Sequence, residues 1–237
     1  MNDGTHTSID LREPVSALVA REPGYARILE TFEIEYCCTG EMTLEEAARD
    51  HGLNPDNLAE TMESALAERR SVGPGADGVI ANHDLSLRDL IAQIASRYHR
   101  SLRKELPRLI NLTGRVATAH GTDDVRLHVV ADRTQVIAET LLRHIETEEN
   151  HLFPLLRAGE SLYDGNGEAL MERLRYNHLT VETALIVVRT LTDEYQPPED
   201  ACNTYRATMS SLQELDQDWS AYARLEREEL FLRSTSA

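Results

Sequence analysis

Aromatic side chains are scarce in this chain: Phe, Tyr and Trp make up 5% of its 237 residues. Val, Ile and Thr do not alternate with polar residues over any long stretch. Together these features disfavour a β-sandwich or barrel and favour packed helices. Positive charge is also in short supply. Lys and Arg number 24 against 41 Asp and Glu, a net charge of −17. That balance argues against non-specific binding to nucleic acid or to an anionic membrane, both of which attract basic surfaces. No apolar run approaches the length of a membrane span. The segment Met1 to Leu11 is polar and has no apolar stretch of the secretory kind. The three cysteines are Cys37, Cys38 and Cys202. An odd count with two adjacent members is a poor disulfide framework and suits a reducing compartment, so a cytoplasmic location is expected.

What the chain does have is 41% hydrophobic content, enough for a real core, and strong helical signals. Residues 1–70 read as a small helical domain. Ser16 to Glu33 carries apolar residues at helical spacing, broken at Pro23-Gly24. Thr43-Leu44-Glu45-Glu46 is a capping box opening a helix that ends near His51-Gly52. Asn54-Pro55 opens another, running to about Arg70. Residues 71–82, rich in Gly and Pro, read as a linker. Residues 83–237 then carry four long helices: Leu85 to Ala119, Asp124 to Arg157, Glu168 to Glu194, and Asp200 to Arg233. The third is expected to end at Pro197-Pro198. Pro107 is expected to kink the first helix or free a carbonyl in it. Each helix spans about 45 Å at ~1.5 Å per residue. With short connections they form an up-down-up-down four-helix bundle, and the fold class is all-α.

One motif occurs twice. His144-x3-Glu148-x3-Leu152-Phe153 is matched by Tyr222-x3-Glu226-x3-Leu230-Phe231. The i, i+4 spacing sets the first two side chains on one helix face. A lone His precedes each copy: His99 lies 45 residues before His144, and His178 lies 44 before Tyr222. The chain therefore reads as a duplicated helical hairpin, with His99, His144, Glu148, His178, Tyr222 and Glu226 converging on the bundle centre. Taken singly, a helical His or Glu is an ordinary solvated or satisfied side chain. Three imidazoles and two carboxylates buried together are costly unless paired or metal-bound. Imidazole with carboxylate and no thiolate suits iron or manganese, with zinc also possible. Two bridging carboxylates with terminal imidazoles describe a di-iron centre. Glu148 and Glu226 are expected to bridge, His99 and His144 to cap one ion, and His178 with Tyr222 to cap the other.

These motifs, with Tyr36-Cys37-Cys38-Thr39-Gly40 before the capping box, Arg97-Tyr98-His99 with Glu105-Leu106-Pro107, Ala119-His120-Gly121, the Pro154 after Phe153, and Asn177-His178, resemble the di-iron iron–sulfur cluster repair family. The resemblance covers nearly the whole chain from about residue 10. It implies a vicinal-cysteine N-terminal domain and a hemerythrin-like bundle. It further implies two non-haem iron ions, carboxylate-bridged with or without an oxo bridge, and a role in repairing clusters damaged by nitrosative or oxidative stress. That role would use nitric oxide chemistry or iron donation, with damaged iron–sulfur proteins and an electron donor as partners. Family ligands carry over to His99, His144, Glu148, His178 and Glu226. The sixth, a His in the family, falls on Tyr222.

Tyr222 has three readings: a phenolate ligand, a phenol hydrogen-bonded within the site, or the mark of a one-metal protein. His151, at i+3 from Glu148, is a spare nitrogen that could face the core. Cys37 and Cys38 are redox candidates, and Cys202 reads as structural. Competing functions are a hemerythrin-like sensor of oxygen or nitric oxide and a metal-free interaction protein. Association of two chains as a homodimer stays open.

Overall fold

The computed structural model describes residues 9–37, 41–72, 85–159, 162 and 165–231. The expected linker falls mostly outside them. The described residues are all-α: their only β pairing is an isolated bridge between Pro14 and Thr43. The chain divides into two compact units, Met1–Gly78 with Pro197–Ser211, and Val79–Gln196 with Leu212–Ala237.

The first unit holds α1 (Val15–Arg21), a 3-10 turn at Pro23–Tyr25, α2 (Ala26–Thr31), α3 (Leu44–Asp50) and α4 (Pro55–Val72). Thr43 and Glu46 form the expected reciprocal cap on α3. Asn54 caps α4, its Oδ1 accepting from the Asn57 N–H at 3.0 Å. Leu18, Val19, Leu29, Leu44 and Met62 are fully buried in one apolar cluster. Ala207, from a later helix, completes that cluster.

The second unit carries three long helices and the part of a fourth from Leu212 onward. The first comprises α5 (Leu87–Gln93), a π turn at Ile94–His99, and α6 (Arg100–His120). The second comprises α7 (Arg126–Thr147), a π turn at Glu148–Leu152, and α8 (Phe153–Ala158). The third is α9 (Gly165–Leu191), and the fourth is α10 (Asn203–Leu225) followed by a π turn at Glu226–Leu230. Their buried positions alternate steps of three and four. The stripes are His99, Leu102, Leu106, Leu109, Thr113, Val116; then Leu127, Val130, Thr134, Ile137, Leu141, His144, Glu148. They continue with Met171, Leu174, His178, Val181, Leu185, Val188, and with Leu212, Leu215, Trp219, Tyr222, Glu226. This is the seam of a left-handed bundle. The six candidate ligands occupy core positions of that seam, so the fold buries them by register.

Pro107 sits inside an unbroken α6 and, as the second of the two outcomes expected for it, costs the Arg103 carbonyl its helical donor. One local outcome differs from expectation: the third helix stops at Leu191 rather than Glu194. Asp193, Glu194 and Tyr195 follow in the left-handed region, with φ of 50°, 61° and 64°. This reversal is anchored by the Tyr195 hydroxyl, which donates to Asp216 Oδ2 at 2.8 Å, and by Arg189, which binds the same oxygen. Tertiary hydrogen bonds, not the prolines, end the helix.

Two glycines give a stability test. A Cβ at Gly114, inside α6, meets open space, whereas one at Gly121 would lie 2.2 Å from the Ala117 carbonyl and 2.4 Å from His128 Nε2. Gly114→Ala is expected to stabilise by about 0.5–1 kcal/mol, and Gly121→Ala to destabilise by about 1–3 kcal/mol. Urea denaturation of the two variants checks both signs.

Candidate metal centre

The bundle register brings all six predicted residues together. His99, His144, Glu148, Tyr222 and Glu226 have no exposed surface, and His178 retains 6%. The π turns help aim them: His99 ends one, while Glu148 and Glu226 each begin one. An added residue per turn rotates the following helix, a device common at functional sites. It also explains His151. In a regular helix i+3 from Glu148 shares its face, but the π turn swings His151 outward and it is exposed.

The six form two crossed clusters. His99 Nε2 lies 3.1 Å from Glu148 Oε2 and 3.0 Å from the Tyr222 hydroxyl. The Tyr222 hydroxyl donates to Glu148 Oε2 at 2.5 Å. In the other cluster, His144 Nε2 lies 3.3 Å from Glu226 Oε1, and His178 Nε2 lies 2.7 Å from Glu226 Oε2. Each lone His therefore meets the Glu of its own hairpin, while the residue four before each Glu reaches the opposite hairpin's Glu. The expectation groups His99 with His144 and His178 with Tyr222 around two ions; the side-chain contacts instead set His99 beside Tyr222 and His144 beside His178. The reason is height along the bundle: His144 and Tyr222 sit one helical turn from their own glutamates, level with the other pair. The duplication extends to the walls. Phe153 stacks on His99 with centroids 5.6 Å apart, and Phe231 packs on His178 at 5.9 Å. Trp219 sits edge-on to His178 at 4.9 Å.

The halves differ in how well they are satisfied. Between His99, Glu148 and Tyr222 the hydrogen bonds close on themselves. Between His144, His178 and Glu226 they do not. His178 Nε2 and Glu226 Oε2 are close but out of line, and neither has a hydrogen-bond partner. One ligand atom from each of these three buried residues lies within 4.8 Å of the others. Glu148 Oε1 is also without a partner, and Glu148 Oε2 lies 3.8 Å from His144 Nε2. Unpaired nitrogen and oxygen donors aimed at one point, in a core where each such atom costs free energy, fit a divalent or trivalent cation of the iron, manganese or zinc kind.

Electrostatics follow the same asymmetry. Burial and the neighbouring Glu226 push the Glu148 carboxyl up to about 7. Burial also opposes ionisation of Glu226, yet His144 and His178 hold it well below the usual range. Burial works against protonation of His144, but Glu226 wins and raises it. Burial and the two carboxylates drive the Tyr222 phenol well above its ordinary value. The phenol is thus protonated in this core.

Glu149 and Arg103 are supporting residues that the sequence reading missed. His99 Nδ1 lies 2.8 Å from Glu149 Oε1, whose carboxylate takes two bonds from Arg103 at 2.8 and 2.7 Å. The Arg103 bonds hold Glu149 down at about 2. A carboxylate on Nδ1 favours the tautomer that leaves Nε2 free to accept or ligate. The signal was present as the second Glu of Glu148-Glu149, but nothing in sequence pairs it with Arg103. Cys37 belongs to the first unit, and Cys38 lies outside the described residues.

Comparison with known proteins agrees with this geometry. Residues 90–233 match the hemerythrin HHE cation-binding domain, and residues 11–66 match ScdA_N, described as a domain of unknown function (DUF542). Relatives include the iron-sulfur cluster repair protein YtfE of Musicola paradisiaca, 32% identical over 90% of this chain and 91% of that protein. The YtfE of Edwardsiella ictaluri is 32% identical over 93% and 96%. A probable iron-sulfur cluster repair protein of Haemophilus influenzae is 29% identical over 94% and 96%. The chain belongs to the iron–sulfur cluster repair family. Membership joins a cation-binding bundle to an N-terminal unit in one polypeptide. Among the described residues no helix is long and apolar enough to cross a membrane.

The centre makes a pH prediction for the metal-free protein. Folded Glu148 keeps its proton to about 7 against an ordinary 4.5, so the folded state binds more protons than the unfolded one across that window. Stability therefore falls as pH rises through it. The raised His144 acts in the same direction as pH rises through its folded value. Depressed Glu226 acts oppositely: its contribution is present above its unfolded value and is lost as pH falls through its folded one. The melting temperature is expected to peak near about pH 5 and decline toward pH 7, and Glu148→Gln is expected to flatten the decline. A steady rise from pH 5 to 7 would contradict the assignment.

Proposed function

We propose that this chain repairs iron–sulfur clusters damaged by nitrosative or oxidative stress, in the cytoplasm, with non-haem iron held in its bundle. The carrying observation is the His178–Glu226 approach at 2.7 Å, out of line for a hydrogen bond and within reach of His144. The names of the relatives support the repair role. His144, His178 and Glu226 would hold the stronger cation site. His99 and Glu148 would hold the weaker one, with Glu148 Oε2 lying 3.8 Å from His144 Nε2. Iron held there would supply redox chemistry toward nitric oxide or oxygen, or would itself be the cargo given to a damaged client protein. An electron donor completes the set of partners.

The chain's own residues do the rest. Glu149 holds the His99 ring, and Trp219, Phe153 and Phe231 line the site with hydrocarbon. Of the three readings of Tyr222, the hydrogen-bonded phenol is favoured: its proton sits between its own oxygen and Glu148 Oε2, and the site resists its loss. The weaker half-site therefore lacks one nitrogen that the stronger half-site has.

Ferrous iron added anaerobically to metal-free protein is expected to bind in two unequal steps, the first abolished by Glu226→Ala and the second strengthened by Tyr222→His. Loaded protein is expected to restore activity to an enzyme whose cluster has been destroyed by nitric oxide. Less than one iron per chain at saturation would sink the iron reading. In ferric protein, a visible phenolate-to-iron band that disappears in Tyr222→Phe would overturn the phenol assignment.

A further inference from the structure

In the sequence Cys37 adjoins Cys38, while Cys202 stands apart near the start of the fourth long helix. The fold of the first unit changes Cys202's company. Cys202 immediately precedes α10, whose first residue, Asn203, reaches across to the N-terminal segment. Its Nδ2 donates to the Ser16 carbonyl at 2.7 Å and to the Tyr36 carbonyl at 3.1 Å. The residue after Cys202 is thus tied to the residue before Cys37, although the cysteines are 165 positions apart in the chain. Both thiols are half-buried, and they interact directly.

The chemistry of the two positions differs. Cys202 occupies the N-cap of a 23-residue helix, and its sulfur accepts from the backbone N–H groups of Thr204 and Tyr205. Helix N-terminal donors stabilise a sulfur that carries negative charge. Burial and the Cys37 thiol push its pKa up in the resting state, so it rests as a thiol with a ready acceptor site for charge. Cys37 lies on irregular backbone after Tyr36, outside any helix.

We propose that Cys37 and Cys202 form a thiol–disulfide exchange site whose substrate is a low-molecular-weight disulfide. Cys37 sulfur attacks one sulfur of the substrate, forming a mixed disulfide; the substrate's S–S bond breaks and the first small thiolate leaves with the Cys37 proton. Cys202 sulfur then attacks Cys37 sulfur. The mixed bond breaks, the second small thiolate takes the Cys202 proton, and a Cys37–Cys202 disulfide remains. The protein loses two electrons and two protons, and the small disulfide is reduced to two thiols. The reverse reaction with excess small thiol restores the pair. A pairing held by tertiary contact in this way avoids the strained ring that adjacent cysteines must close.

The test uses the full chain equilibrated with mixtures of oxidised and reduced glutathione, quenched by alkylation and digested. Wild type and Cys38→Ser are expected to form the same 37–202 cross-linked peptide, over the same range of glutathione ratios, with reversal by excess reduced glutathione. Cys202→Ser is expected to stop at a mixed disulfide with glutathione on Cys37. A 37–38 or 38–202 peptide as the main product, or a Cys38→Ser protein that forms no internal disulfide, would overturn the proposal. The outcome is independent of the metal centre, because none of its ligands enters the measurement.

Discussion

Two carboxylates sealed in a helix bundle set the terms for everything around them. Neither Glu148 nor Glu226 has any exposed surface, and an unpaired charge there is prohibitively costly. Each is met by an imidazole from its own hairpin and by a second polar group from the other. That crossing fastens the hairpins at a fixed height, because a slip of one turn would strip both glutamates of their cross-partners. The apolar seam above and below adds the bulk of the burial, but apolar seams tolerate slippage. The polar centre supplies the uniqueness.

Much of this was written plainly in the sequence. The repeat of His144 and Glu148 in Tyr222 and Glu226, with a lone His before each, marks a duplicated hairpin, and its Leu-Phe ending predicts an inward face. The cap at Thr43 and the breaks at Pro23 and Gly52 locate the short helices for local reasons, and local reasons survive folding. What could not be read depends on height and rotation. A helical wheel cannot place His144 level with His178, since that needs the loop geometry between α7 and α9. Nor can it see that winding changes at Glu148, which removes His151 from the core. Glu149 and Arg103, and Asn203 with Tyr36, are separated by 46 and 167 residues. No local pattern joins such pairs.

The two halves share one architecture and differ in a single donor. Replacing imidazole by phenol at position 222 exchanges a nitrogen lone pair for a hydroxyl that gives a proton away. The same backbone therefore presents one cluster in which an imidazole nitrogen and a carboxylate oxygen both stand without hydrogen bonds, and another in which only Glu148 Oε1 does. The aromatic walls are duplicated on both sides, so the contrast lies in donor chemistry and not in shape or access.

The protonated state of Glu148 has a consequence for how such a centre fills and empties. With its proton in place and Tyr222 donating to it, Glu148 adds no charge to a core in which His144 and Glu226 stand as an ion pair. A cation entering must displace hydrogen ions from Glu148 and His144, and a cation leaving takes them back. Occupancy is thereby tied to acidity. Loss of a bound cation therefore leaves no uncompensated charge on Glu148, and a modest fall in pH shifts the exchange toward release.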